Sequence, residues 1–114
     1  MGMIYIDNFR TGRGLNDRLH WRAKAKRVRA ERQMVAAYVN GQPRPEVPLV
    51  VTLTRIAPSN GLDDDGLCGA LKGVRDQVAA WLGVDDRHRH IVQYTYHQER
   101  GPWAVRIEWR PMDV

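Results

Sequence analysis

The sequence predicts a small α+β domain, a mixed β-sheet packed by two helices in the order β-α-β-α-β-β. Three observations predict it. Two long segments place apolar residues at helical spacing, short β-rich runs stand at the start and middle, and an alternating segment fills the last third. The 114 residues fit a single domain spanning 1–114.

Met3 to Ile6 is β-rich and reads as the first strand. Phe9 to Leu15 holds Gly12 and Gly14 and reads as a loop. Asn16 offers an N-cap side chain for a helix from about Asp17 to Val39. Trp21, Ala25, Val28, Val35 and Tyr38/Val39 make one apolar stripe along it, and Trp21 and Trp81 read as core. Asn40-Gly41 stops the helix, and Pro43, Pro45 and Pro48 forbid its continuation. Leu49 to Ile56 is the second strand, ended by Pro58-Ser59-Asn60-Gly61. A second helix is expected from about Asp65 to just before Gly83, its inward face Leu67, Leu71, Val74, Val78 and Trp81/Leu82. Ile91 to Gln98 and Trp103 to Arg110 read as a hairpin turning at Glu99-Arg100-Gly101-Pro102. In its second arm Trp103, Val105, Ile107 and Trp109 share one face, and Ala104, Arg106, Glu108 and Arg110 the other.

Composition excludes several classes. Hydrophobic residues are 43% and charged residues 27%, ordinary for a globular chain and wrong for a collagen-like or disordered one. No apolar run reaches the ~18–20 residues that cross a bilayer, so no membrane partner is expected. The N-terminus lacks the basic and apolar regions of a secretory signal. The single cysteine, Cys68, cannot form an internal disulfide, so a cytoplasmic, reducing setting is expected.

Charge gives the first functional hint. Eighteen Lys and Arg oppose thirteen Asp and Glu, a net charge of +5, which suits nucleic acid. The cations gather in the first helix: Arg22, Lys24, Lys26, Arg27, Arg29 and Arg32, with Arg18 just before and Glu31 the one acid within the stretch. Such a helix can track a phosphate backbone. It can equally be a solvated face.

The acids gather elsewhere. Asp63-Asp64-Asp65 opens the second helix, and Asp85-Asp86 follows Gly83. Adjacent carboxylates repel, and a divalent cation with oxygen ligands relieves the repulsion; helix capping accounts for the same residues at less stretch. Asp65, Gly69, Lys72 and Asp76 project within about 40° of one another on an ideal helix. Lys72 and Asp76 form either part of a site or a plain i,i+4 pair, and Gly69 and Gly73 leave room beside Lys72 for a close approach. His88 and His90, an H-x-H beside Asp85-Asp86, are a further set with transition-metal chemistry.

Taken together, Gly14-Leu15-Asn16-Asp17-Arg18-Leu19-His20-Trp21, the basic helix, Leu62-Asp63-Asp64-Asp65-Gly66-Leu67, Lys72, Asp76 and Asp85-Asp86 resemble the RusA-type Holliday junction resolvases, in particular their short prophage-encoded relatives. The likeness runs from about Gly14 to Trp109. It implies a RusA-like fold and a homodimeric endonuclease that cuts branched, four-way DNA with Mg²⁺ or Mn²⁺. It further implies metal ligation by Asp63, Asp65 and Asp86, contact of Lys72 with the scissile phosphate, and DNA contacts from Arg18, Arg22, Lys24, Lys26, Arg27 and Arg29. Gly66 stands where that family usually has Asn, which keeps a second expectation open: a noncatalytic, phage-derived nucleic-acid-binding protein with the same fold. An ideal helix over Gly66–Leu82 would be roughly 25 Å long and would hold Asp65 and Asp86 apart. A shared ion therefore requires a bent helix, a returning chain or a second subunit.

Overall fold

The computed structural model describes residues 1–12, 21–59, 61–84 and 90–113. It is an α+β fold with a four-stranded mixed sheet and, among the described residues, three helices. The chain runs β1 (Gly2–Asp7), α1 (Trp21–Val39), β2 (Leu49–Ala57), α2 (Asp64–Ala70), α3 (Lys72–Leu82), β3 (Val92–Arg100) and β4 (Ala104–Pro111). No described helix is long and apolar enough to cross a membrane.

The strand order is β1-β4-β2-β3. β4 pairs antiparallel with both β1 and β2, and β3 pairs parallel with β2. The expected hairpin is therefore wrong: β2 lies between β3 and β4. The turn at Gly101 arches over the end of β2, where the Gly101 amide donates to the Ala57 carbonyl at 2.9 Å. The reason lies in β2 itself. Eight of its nine residues are buried, as suits a strand flanked on both edges by neighbours.

One sheet face is the core. Ile4 and Ile6, Leu49, Val51 and Leu53, Val92, and Val105 and Ile107 are buried there against Val35 and Val39 of α1 and Leu67, Leu71, Val74, Val78, Trp81 and Leu82 of α2 and α3. The inward face expected of the second helix is thus observed residue for residue. Trp109 reaches the same cluster, meeting Trp81 edge-on at 5.4 Å, and its ring covers Gly2, its register partner on β1. The other face carries exposed Met3 and Tyr5, a Thr52–Thr95 hydroxyl pair at 2.7 Å, and Arg106 held by Glu99 and Glu108.

Two expectations about the helices need correction. The second helix is broken at Leu71, whose φ of −99° and ψ of 5° leave the helical region while its amide still reaches the Leu67 carbonyl. In the first helix only Val35 and Val39 of the expected stripe are buried. Trp21 is 66% exposed, and Val28, Tyr38 and Ala25 are exposed as well. Towards the N-terminal half the buried line continues instead through Glu31.

Candidate metal and nucleic-acid site

Asp63 is the N-cap of α2. Its backbone is extended, with φ −71° and ψ 175°, and its Oδ1 accepts the Gly66 amide at 2.7 Å. That bond satisfies one of the amides a helix start leaves without a partner. The carboxylate lies close over Gly66: a Cβ there would stand 2.7 Å from Asp63 Oδ1. Asp64 and Asp65 occupy the first turn and are exposed. The preceding residue is fixed from β3, where the Gln98 side chain donates to the Leu62 carbonyl at 2.7 Å and accepts from the Leu62 amide at 3.3 Å. The three carboxylates therefore leave a rigid anchor at the end of the sheet.

Lys72 opens α3 and pairs with Asp76, Nζ to Oδ2 at 2.8 Å; Arg75 approaches the other oxygen at 3.6 Å. This is the plain i,i+4 arrangement. The room made by Gly73 is also accounted for, because α1 fills it: a Cβ on Gly73 would meet Glu31 Oε2 at 3.2 Å and Val28 Cγ1 at 3.5 Å.

Among the described residues no three His, Cys, Asp or Glu side chains gather into a metal-holding group. Asp86, the third expected ligand, lies outside the described residues, as do Asp85 and His88; His90 is exposed in a turn. Mg²⁺ is commonly held by one or two carboxylates plus phosphate oxygens and water. Asp65 is exposed and Asp63 keeps one carboxylate oxygen outside the cap, so two of the three expected ligands offer oxygen donors, though the described residues do not gather them into a closed set.

The cations of α1 face two ways, with Arg29 at the boundary between them. Arg22, Lys26 and Arg29 are exposed at positions i, i+4 and i+7 and share one side of the helix. The Arg22 guanidinium lies 5.1 Å from the Trp21 ring centre. Lys24 is half-buried and, with Arg29, Arg32, Val28 and Gln77, lines a groove of about 550 Å³ between α1 and α3. Arg32 Nε donates across it to Gln77 Oε1 at 3.1 Å. Arg27, also among the expected DNA contacts, is half-buried. It packs on Gly12, where a Cβ would collide with the guanidinium, and pairs with Glu31 at 3.5 Å. Arg18 lies outside the described residues.

Sequence reasoning assigned no role to Glu31, which is 7% exposed. Burial raises its pKa from 4.5 to about 7, against the opposing pull of Arg27. The signal was present: Glu31 is the lone acid in the basic stretch and stands four residues from both Arg27 and the core residue Val35. Arg55, buried in β2, carried no sequence signal beyond a charge inside an apolar run.

Comparison of the chain with protein-family models, curated proteins and solved structures gives no match.

Proposed function

We propose that the protein is a Mg²⁺-dependent, structure-selective endonuclease that resolves four-way DNA junctions by phosphodiester hydrolysis, acting as a homodimer in the cytoplasm. The observation that supports it is the coexistence of exposed carboxylates on a fixed anchor, Asp63 to Asp65, with the exposed cationic line Arg22, Lys26 and Arg29. Polyanion binding and phosphodiester hydrolysis need those two features.

In this reading Asp65 and Asp63, with Asp86, would hold the ion, which would supply Lewis-acid polarisation of the phosphoryl oxygen and a water of lowered pKa. Lys72 exchanges Asp76 for a phosphate oxygen and offsets charge developing there. The exchange is easy, because the lysine side chain is 64% exposed and exposed pairs contribute only ~0.2–1 kcal/mol. The cations of α1 hold the duplex arms. Their phosphate contacts release counterions, so affinity falls steeply with salt.

A second reading is a noncatalytic nucleic-acid-binding protein of phage origin. It is favoured by the engagement of Asp63 as a cap over Gly66 and of Lys72 with Asp76. A synthetic four-way junction and a linear duplex, each incubated with and without Mg²⁺, separate the two. Metal-dependent paired nicks in the junction alone support the endonuclease. Tight junction binding with intact strands supports the second reading and rules out the first.

A further inference from the structure

β2 carries a cation deep in the fold. Arg55 is 5% exposed, and burial lowers its pKa from the ordinary value. Its Nε donates to Thr11 Oγ1 at 3.0 Å and its Nη1 to the Ser59 carbonyl at 2.9 Å. A guanidinium has five N–H donors, and among the described residues these two neutral acceptors are its hydrogen-bond partners. No described carboxylate forms an ion pair with it. A buried charge without a counter-charge is costly.

A second cation stands beside it. The guanidinium carbons of Arg10 and Arg55 each lie 5.3 Å from the centre of the Trp103 ring. Arg10 is exposed and likewise forms no ion pair among the described residues. The indole face attracts both cations but carries no net charge to balance them. Two positive groups thus stand against one ring, one buried and one open to solvent, and neither forms an ion pair with a described carboxylate. The backbone of Trp103 is tied to the segment that carries Arg10, since its carbonyl accepts the Phe9 amide at 3.3 Å.

We propose that Arg10, Arg55 and Trp103 form an anion site that takes a phosphate group, with Arg10 making the direct contact and Arg55 supplying fixed positive charge behind it. Its place gives it a use. Gln98, the register partner of Arg55 on β3, is the residue that clamps Leu62. The cation pair therefore shares the end of the sheet from which Asp63 to Asp65 depart. Resting on the endonuclease reading, the phosphate is a backbone phosphodiester flanking the one to be cut; a free phosphate has the same chemistry.

Two measurements test the site and its source separately. Inorganic phosphate is titrated into the protein while the Trp103 indole N–H resonance, assigned through Trp103→Phe, is followed by NMR. A saturable shift is expected in the wild type, retained in Arg10→Lys and lost in Arg10→Gln, whose remaining spectrum reports an intact fold. No shift, or the same shift in Arg10→Gln, overturns the proposal even if the protein cuts DNA. Junction affinity is then measured against salt. Arg10→Gln should weaken binding several-fold and reduce the log–log salt slope by about 1. A phosphate response with an unchanged salt slope keeps the anion site and overturns its assignment to the DNA backbone.

Discussion

Gly66 and Asp63 show how one missing carbon sets the state of a candidate ligand. A Cβ on residue 66 would stand 2.7 Å from the Asp63 Oδ1 that caps α2, so a side chain there makes the carboxylate shift. Asp63→Ala should cost ~1 kcal/mol, the usual loss of a cap. Gly66→Ala should bring no gain in the wild type, because eviction of the carboxylate cancels the better helix propensity. In the Asp63→Ala background the same change should stabilise by up to ~1 kcal/mol. Urea unfolding of the four variants reads the coupling, and strict additivity would refute the contact. Glu31 makes a prediction of a different kind. Its folded pKa of about 7 stands above the ordinary 4.5, so between those values the native chain holds more protons than the unfolded one. Stability therefore falls as pH rises from about 4.5 to about 7 and is level beyond. Glu31→Gln removes the titration and keeps the shape. Its stability gain should be near zero at pH 4 and grow to as much as ~3 kcal/mol at pH 8. A gain independent of pH would contradict the assignment.

Among the elements, α1 and α3 meet at Gly73, where Glu31 and Val28 lie against bare backbone. Gly73→Leu should push the helices apart and cost ~1–3 kcal/mol. Gly41→Ala, with nothing within 4 Å of the new carbon, should stay within ~0.5 kcal/mol; thermal unfolding compares them. Legibility in the sequence follows the same division. The buried face of α2 and α3 was readable because Leu67 through Leu82 repeat at helical spacing, and the break at Leu71 leaves those side chains on one side. The glycine at 73 was legible as a close approach, but not that α1 makes it. Trp21 and Val28 misled because periodicity gives the arc a residue occupies and not whether a neighbour covers that turn. Gly83 announced the end of α3 through the left-handed conformation it adopts, with φ of 73°.

For the molecule as a whole, the fold class was legible and the strand order was not. β3 and β4 are separated by a turn-rich Glu99-Arg100-Gly101-Pro102, which carries the local signature of a hairpin. What decides the order is non-local: β2, buried at eight of its nine positions, gains more from lying between two strands than at an edge. The candidate site divides in the same way. Asp63 to Asp65 and the basic helix were readable as clusters. The burial of Glu31 and the Arg10–Trp103–Arg55 group arise only from tertiary contacts between segments distant in sequence. At this scale the charged face of α1 makes its own prediction. Replacing Arg22, Lys26 and Arg29 together by Gln should leave the unfolding temperature nearly unchanged. It should also reduce the salt slope of junction binding by roughly 3, one for each phosphate that is no longer neutralised; an unchanged slope would remove α1 from the DNA interface.

The claim on which the functional account turns is that the exposed aspartates at the start of α2 support hydrolysis. Its most direct measurement is the single-turnover rate of four-way junction cleavage in Mg²⁺ for the wild type and Asp65→Asn, with junction affinity measured in parallel. The account predicts paired nicks from the wild type, a rate at least about 10²-fold lower in Asp65→Asn, and similar affinities for the two. Equal rates, or an uncut junction bound tightly by the wild type in Mg²⁺, would contradict it.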